Sequence, residues 1–348
     1  MTAATQPRPT VTFEVPPDRW AMEPPEARDV PRDQVRLLVA SPGHTAHVRF
    51  ADLDRFLRPG DAVVINTSAT RPAAIQATHV SGPAVVHMST EHPDGSWTVE
   101  LRRPDGSGPI LDAGPGDVIA LDGGGHVRLG SPSAAGPDGR GVRLWRASVT
   151  VSGRVSAHLR DHGRPITYGP QRFPLSDYQT VFARHPGSAE MPSAGRPFSA
   201  GLVTRLVARG IAVLPITLHA GVSSQDAGEA PQPEWFDVPA YTAAHLNLTR
   251  RLGGRVIAVG TTVTRALESA VEGQTVIARR EWTDLLITPE RGVMIIQGLI
   301  TGWHEPQASH LQLLQAVAGT ALVQHAYEEA VAGPYLWHEF GDSCLLLP

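Results

Sequence analysis

Hydrophobic positions follow two different patterns along the chain, and the change between them divides the sequence into two parts. Before residue 72 and after residue 160, continuous apolar runs such as residues 61–66 alternate with helical repeats. Such runs predict strands that are buried on both faces, and their alternation with helices is typical of a parallel α/β sheet. Between residues 72 and 160, short alternating runs are separated by Gly, Pro, Asp and Ser, which indicates a small antiparallel barrel or sandwich.

The two patterns predict a discontinuous α/β main domain, residues 1–71 and 161–348, that is interrupted by a β-rich domain at residues 72–160. In the main domain we expect strands at 211–219, 255–260 and 292–301, and helices at 201–210, 241–254 and 261–273. Residues 309–333 predict one long helix. Pro215 indicates that the strand at 211–219 has an edge position or a bulge.

Composition excludes several classes of protein. All 30 Lys and Arg positions are Arg, which excludes a lysine Schiff base and a P-loop lysine. The net charge of -4 argues against broad polyanion binding. The single cysteine, Cys344, excludes an internal disulfide and a cysteine-based zinc site. Because the sequence has no apolar signal core and no run of 18 apolar residues, we expect a cytoplasmic protein without a membrane partner.

Polar residues follow three of the predicted strands, where an open parallel sheet binds its ligands. At or just after the end of each strand they are His219 and Gly221 for the first, Gly260, Thr261 and Thr262 for the second, and Thr301 and His304 for the third.

The turn at residues 260–262 is a candidate anion site. A glycine permits a tight turn, one of the two threonines caps the next helix, and the free N–H groups there attract a carboxylate or phosphate. Arg265 would lie on the first helical turn and bind the same anion. The alternative is an ordinary strand–helix junction in which Arg265 pairs with Glu268 or Glu272.

Two histidines and one carboxylate are candidates for proton transfer. His219 and His304 follow strand ends, and either an acid–base pair or a metal pair is consistent with that position. We favour acid–base or hydrogen-bonding roles because no third ligand stands at metal spacing. Glu234 stands beside Trp235 and Phe236, where a carboxylate can have a raised pKa; the alternative is a solvated acid on a loop.

The stretch "MPSAGRPFS" at residues 191–199 combines small residues with one arginine. Ser193, Ala194 and Gly195 allow a ligand to approach the backbone, Arg196 is a candidate ligand-binding residue, and Ser199 would cap the following helix. The alternative is a plain Gly/Pro turn.

Motifs across nearly the whole chain resemble the S-adenosylmethionine:tRNA ribosyltransferase-isomerase family of the queuosine pathway. They are "PGDAVVIN" (59–66), "PSAG" (192–195), "TLHAG" (217–221), "GGRVIAVGTTVTRALESA" (253–270) and "AYEEAVAGPYLWHEFGD" (326–342). The resemblance implies an α/β domain with a mostly parallel sheet and an inserted antiparallel β-barrel, which agrees with the two hydrophobic patterns.

The resemblance also implies a reaction. S-adenosylmethionine donates its ribosyl group, because the sulfonium acidifies the adjacent ribose carbon and a base can remove a proton there. Adenine and methionine leave, and the amine of 7-aminomethyl-7-deazaguanine in tRNA captures the rearranged ribose as an epoxycyclopentane. No metal and no cofactor beyond this co-substrate is expected, and the protein would be a monomer or weak homodimer.

Site residues are carried over onto matching positions of this sequence. The expected catalytic residues are His219, Glu234 and His304. The expected S-adenosylmethionine-binding residues are Asn66, Ser193, Ala194, Gly195, Arg196, Gly221, Gly260, Thr261, Thr262, Arg265 and Thr301.

Several motifs depart from the family pattern. The usual "AGLHF" is "AGRPF" (194–198), "NDTRVIPAR" is "NTSATRPAA" (66–74), "MHxE" is "PQPE" (231–234), and "TNFHLPxST" is "TGWHEPQAS" (301–309). These changes leave two alternatives open, the same donor chemistry on a small-molecule acceptor and a non-catalytic protein that binds an adenosyl ligand.

Overall fold

The computed structural model describes residues 11–136, 139–167, 171–223, 231–306 and 308–348. The strands in these ranges are β1 (Arg36–Ser41), β2 (His44–Arg49), β3 (Ala62–Asn66), β4 (Ser68–Thr70), β5 (Ala74–His79), β6 (Gly82–Glu91), β7 (Trp97–Arg102), β8 (Val118–Leu121), β9 (His126–Ala135), β10 (Val142–Thr150), β11 (Gly163–Arg164), β12 (His185–Ser188), β13 (Ala212–Leu218), β14 (Glu234–Val238), β15 (Val256–Val259), β16 (Val271–Glu272), β17 (Thr275–Val276), β18 (Arg279–Thr283), β19 (Gly298–Gly302) and β20 (Ser343–Leu346). The α-helices are α1 (Val155–His162), α2 (Ala200–Ala208), α3 (Ala240–Arg251), α4 (Thr261–Ser269), α5 (His310–Ala318) and α6 (Thr320–Ala332).

A nine-stranded mixed sheet with the order β18-β14-β13-β3-β15-β19-β20-β1-β2 forms the centre of the main domain. β3 pairs in parallel with β13 and with β15, and β15 pairs in parallel with β19. Antiparallel pairs join β14 to β13 and to β18, β20 to β19, and β2 to β1. Most strands therefore point in one direction, and the predicted α/β class with a mostly parallel sheet is confirmed.

Apolar side chains cover both faces of this sheet. Along β3, Val63 and Ile65 pack in one core with Leu202 and other residues of α2. Ala62 and Val64 belong to a second core on the opposite face, which includes residues of α3, α4, α5 and α6. Two cores on opposite faces explain why the strands of this domain are continuous apolar runs rather than alternating ones.

The inserted domain is a closed antiparallel barrel. β5, β6, β7, β10, β9 and β8 pair in that order, and an additional pairing of β5 with β8 closes the sheet. Trp97 and Trp145 are almost completely buried in its core, to which Leu159 of α1 also belongs. The inserted barrel is therefore confirmed, whereas the boundaries at residues 72 and 160 stay a prediction.

Residues 309–333 do not form one long helix, so that prediction is wrong. Gly319 has a φ of 75° and separates α5 from α6. The apolar periodicity continues through this break, which is why the sequence pattern does not reveal it. The strand predicted at 292–301 is also shorter than expected and begins at Gly298.

Pro215 lies in an interior strand of the sheet, but in the part of β13 that β14 does not pair with. β13 pairs with β3 along its length, but it pairs with β14 only at Thr217 and Leu218. The missing N–H of the proline therefore costs no ladder hydrogen bond on the β14 side. No helix of the described ranges is both long enough and apolar enough to cross a bilayer.

Candidate active site

A cavity of about 820 Å³ lies at the carboxyl ends of β13, β15 and β19. Its volume falls within the range of small-molecule sites. The barrel contributes Arg102 to its wall, and the segment at residues 338–340 closes one end. Ten of the expected site residues line it: Ser193, Ala194, Gly221, Glu234, Gly260, Thr261, Thr262, Arg265, Thr301 and His304. Four others, Asn66, Gly195, Arg196 and His219, are not on its wall.

The turn between β15 and α4 differs from the predicted one in its capping. Gly260 precedes the helix with a φ of 89° and a ψ of 164°, and no side chain caps the first turn. The prediction that Thr261 or Thr262 is the cap is therefore wrong, because the chain enters the helix directly from a conformation that only glycine adopts readily. The first N–H groups of α4 have no intrahelical acceptor and lie at the cavity wall.

The small residues at 193–195 are explained partly by contacts within the protein. A Cβ atom added to Gly260 would lie 3.2 Å from the Cβ of Ala194, so the two backbones approach closely. A Cβ added to Gly195 would lie 3.3 Å from the Cγ2 atom of Thr180, which is why that position is small although it is off the cavity wall. Ser193 and Ala194 face the cavity.

We expect Gly260→Ala to lower the free energy of unfolding by about 1–3 kcal/mol, because the backbone conformation at this position is strained for any other residue. Denaturant unfolding measures the change. Gly201→Ala is the matched control, since Gly201 lies within α2 and its added Cβ would meet only the Oγ of Ser199, at 3.9 Å. The control should be as stable as the wild type or more stable. Equal destabilisation of both variants would contradict the explanation.

Arg196 is turned away from the cavity, contrary to the expectation that it binds the ligand. Its Nη2 donates to Glu26 at 2.8 Å and its Nε donates to the carbonyl of Asp177 at 2.9 Å. The guanidinium also lies over the ring of Phe340, 5.0 Å from the centroid. Arg196 therefore connects the chain segments that carry Glu26, Asp177 and Phe340. The predicted cap at Ser199 is confirmed, since its Oγ accepts from the N–H of Leu202 at 3.2 Å.

Arg265 and Glu234 form a buried ion pair at the cavity wall. The Nε and Nη2 atoms of Arg265 donate to the carbonyls of Leu285 and Thr283, at 3.1 and 3.2 Å. The second carboxylate oxygen of Glu234 accepts from the N–H of Gly221 at 2.9 Å. Both side chains are therefore occupied by protein partners, which argues against an anion site at Arg265 and against a free base at Glu234.

The alternative partners considered for Arg265 are wrong. Glu268 accepts from the N–H groups of Met294 and Ile295 and pairs with Arg291. Glu234 is also not a solvated acid on a loop, because it begins β14 and pairs there with Thr283 of β18.

His304 lies on the cavity wall and is partly buried. Its Nε2 is 3.0 Å from the Oγ1 of Thr301, and its ring stacks on His310 with centroids 4.7 Å apart. Burial, with a smaller contribution from His310, holds the pKa of His304 well below its ordinary value. Burial and the charge of Arg265 lower the pKa of His310 to about 4. Both rings are therefore neutral at physiological pH.

His219 lies behind the cavity wall. Its ring stacks on Trp235 at a centroid distance of 5.1 Å, and its Nδ1 is 2.8 Å from the Oγ of Ser68. A Cβ added to Gly187 would overlap the ring, so the imidazole is enclosed on that side as well. Burial, and to a smaller extent the charge of Arg71, lowers its pKa to about 4. His219 is therefore not among the residues that line this cavity, contrary to the expectation from the strand end.

Asn66 ties two strand ends together instead of facing the cavity. Its side-chain amide donates to the carbonyl of Leu218 at 2.9 Å and accepts from the N–H of the same residue at 3.0 Å. Its Oδ1 also accepts from the N–H of Ser68. Asn66 therefore sets the position of the loop that carries Gly221.

Within the described ranges, no three His, Cys, Asp or Glu side chains are grouped so that they could hold a metal ion.

Sequence reasoning missed one end of the cavity, which is aromatic and acidic. Its wall there includes Trp20, Phe173, Tyr178, Glu190, His338, Glu339 and Phe340. These residues come from four separate segments of the chain, and no local spacing connects them. The sequence signal for this end is the adjacent pair His338 and Glu339 within "YLWHEFGD" (335–342), a segment that by sequence is recognised only as a family motif.

Comparisons with known proteins find relatives over the whole chain. Residues 9–346 match the family model described as "Queuosine biosynthesis protein". The sequence is 33% identical to the S-adenosylmethionine:tRNA ribosyltransferase-isomerase of Synechococcus elongatus, over 97% of this chain and 94% of that protein. It is 34% identical to the protein of the same name from Thermus thermophilus, over 96% of this chain and 98% of that protein.

A solved structure is similar to this fold along nearly its entire length. The crystal structure of an S-adenosylmethionine tRNA ribosyltransferase from Thermotoga maritima matches with a TM-score of 0.54 and 26% sequence identity. The match covers 96% of this chain and 99% of that one, so it includes both the main domain and the inserted barrel.

Proposed function

The chain belongs to the family of queuosine biosynthesis proteins, and from this premise we propose that it is an S-adenosylmethionine:tRNA ribosyltransferase-isomerase. It transfers the ribosyl part of S-adenosylmethionine, with isomerisation, to the amine of 7-aminomethyl-7-deazaguanine in tRNA. Adenine and methionine are released. The reaction requires a base at the carbon next to the sulfonium, a proton donor for adenine, an anchor for the methionine carboxylate and exclusion of water.

The cavity at the carboxyl ends of the parallel strands is the observation that carries the proposal. It is large enough for a nucleoside with an amino-acid side arm, and its wall includes the first N–H groups of α4. Unpaired N–H groups at a helix N-terminus attract a carboxylate. We therefore assign the turn at residues 260–262 to the methionine carboxylate of the donor.

His304 is the base in this proposal. It is the one residue of the three expected for proton transfer that lies on the wall without an ion-pair partner. Because its pKa is far below neutrality, the imidazole is unprotonated and ready to accept a proton at physiological pH. Thr301, whose hydroxyl contacts Nε2 at 3.0 Å, orients the ring. Glu234 and Arg265 hold the surrounding wall in place.

The two alternatives have less support. Relatives over the whole length of the chain carry the name of the tRNA enzyme, which does not favour a small-molecule acceptor. The open wall position of His304 does not favour a protein that only binds an adenosyl ligand. The proposed enzyme is cytoplasmic, acts as a monomer or weak homodimer, and uses neither a metal nor a further cofactor.

The experiment combines the purified protein with S-adenosylmethionine and tRNA that carries the aminomethyl-deazaguanine. Mass spectrometry of the digested tRNA should show a gain in mass on that base equal to the rearranged ribosyl group. If the protein binds S-adenosylmethionine but the base gains no mass when both substrates are present, the proposed acceptor is contradicted.

A further inference from the structure

Two adjacent side chains at the aromatic end of the cavity lack partners among the described residues. His338 has a φ of 89°, a rare conformation for a residue other than glycine, and its buried Nδ1 has no hydrogen-bond partner. Glu339 receives no hydrogen bond and forms no ion pair with any residue that the structure describes. Both side chains line the cavity. Strained backbone and unsatisfied polar groups persist where function retains them.

Burial and neighbouring charges decide the protonation state of Glu339. Desolvation and then the carboxylate of Glu190 raise its pKa to about 8, and the guanidinium of Arg196 opposes them only weakly. Arg196 is already bound to Glu26, so its charge is largely compensated. Two further titratable side chains at this end are uncharged at neutral pH, because burial lowers the pKa of His338 and raises that of Tyr178. Glu339 is therefore a carboxylic acid at neutral pH.

The surroundings of Glu339 fit a flat heterocycle. The rings of Tyr178 and Phe340 are 5.1 Å apart, and those of Phe173 and Phe340 are 6.0 Å apart. Trp20 and Met191 also line the cavity, and Met191 packs in one apolar cluster with Tyr178, Phe340 and Phe173. A purine gains from stacking and from loss of apolar surface in such a place, and its ring nitrogens accept hydrogen bonds from an acid.

On the basis of the proposed function, we propose that Glu339 is the catalytic acid that protonates adenine as it leaves the ribosyl group. The glycosidic carbon–nitrogen bond breaks and its electron pair goes to the adenine nitrogen. The carboxyl proton of Glu339 transfers to adenine, so neutral adenine departs and a carboxylate remains. Water protonates the carboxylate again after the products leave. Buried carboxylic acids with raised pKa values serve as proton donors in this way.

The test compares the wild type with Glu339→Gln and Glu339→Asp, with adenine release measured from pH 6 to pH 9. Glu339→Gln should lower kcat by about 100-fold or more, because general acid catalysis typically contributes about 10²–10⁴-fold. Its Kd for S-adenosylmethionine, measured by calorimetry, should stay at the wild-type value. The wild-type kcat should fall above about pH 8, where Glu339 loses its proton. The residual kcat of Glu339→Gln should show no such decrease on the alkaline side of its pH profile.

Glu339→Asp keeps a carboxyl group, so it should recover part of kcat and the alkaline limb. Glu328→Gln is the matched control, since it makes the same substitution on the exposed surface of α6 and should behave as the wild type. A Glu339→Gln variant that keeps the wild-type kcat and pH profile would overturn the inference. Equal loss of activity in the Gln and Asp variants would also overturn it. A wild type that binds the donor but never releases adenine would instead contradict the proposed function itself.

Discussion

Arg265→Ala is expected to lower the free energy of unfolding by about 3–5 kcal/mol, the usual effect of removing one partner from a buried ion pair. The substitution leaves the carboxylate of Glu234 without its cation, and it also removes the donors to the carbonyls of Thr283 and Leu285. The substitution therefore removes the side chain that connects α4 to β14 and to the end of β18 and the residues after it. Denaturant unfolding followed by circular dichroism measures the change.

Two further variants separate charge from packing at this pair. The double variant Arg265→Met/Glu234→Gln should be more stable than Arg265→Met alone, because it no longer buries an unpaired charge. Arg280→Ala is the matched control, because its partner Asp237 lies on β14 like Glu234. Arg280 pairs with Asp237 at 2.7 Å but is largely exposed, so its loss should cost only about 0–1 kcal/mol. Similar costs for Arg265→Ala and Arg280→Ala would contradict the role assigned to the buried pair.

His304→Ala is expected to lower kcat for adenine release by about 100-fold or more, because it removes the proposed base. The Kd for S-adenosylmethionine should change little, since the proposed anchor of the donor carboxylate is the turn at residues 260–262 and not His304. In the wild type, the acid limb of kcat should lie well below pH 6.5, because the depressed pKa of His304 keeps the ring neutral down to that range. Stopped-time assays over pH and calorimetry measure both quantities.

Variants of two other histidines test whether the loss of kcat is particular to His304. His245→Ala, on the exposed face of α3, should have the kcat of the wild type. His219→Ala should affect kcat less than His304→Ala, since His219 lies behind the wall. A His304→Ala variant with full activity would remove His304 from the mechanism, and a larger effect at His219 would favour the original expectation from the sequence.

The sequence predicts the fold class well because its hydrophobic patterns have a direct physical cause. Continuous apolar runs such as residues 61–66 become strands covered on both faces, and the alternating runs after residue 72 become the barrel. The failures occur where a single backbone angle decides the outcome. Gly319 ends α5 without any interruption of the apolar periodicity, and Gly260 takes the position where a capping threonine was expected.

The candidate site is less predictable because its partners are distant in sequence. Strand ends bring Gly260, Thr301 and His304 to one cavity, as the topology of a parallel sheet requires. The partner of Arg265 lies 31 residues away on a strand that the sequence does not indicate, so local helical spacing favoured the wrong glutamates. Glu339 becomes a proton donor only through burial and through Glu190, and neither is visible in the sequence around it.

The release of adenine from S-adenosylmethionine, with and without tRNA that carries the aminomethyl-deazaguanine, tests the central claim most directly. We predict adenine release that depends on that tRNA and equals the amount of modified base formed. Donor binding without adenine release in the presence of the tRNA, or release that does not depend on the tRNA, would contradict the account.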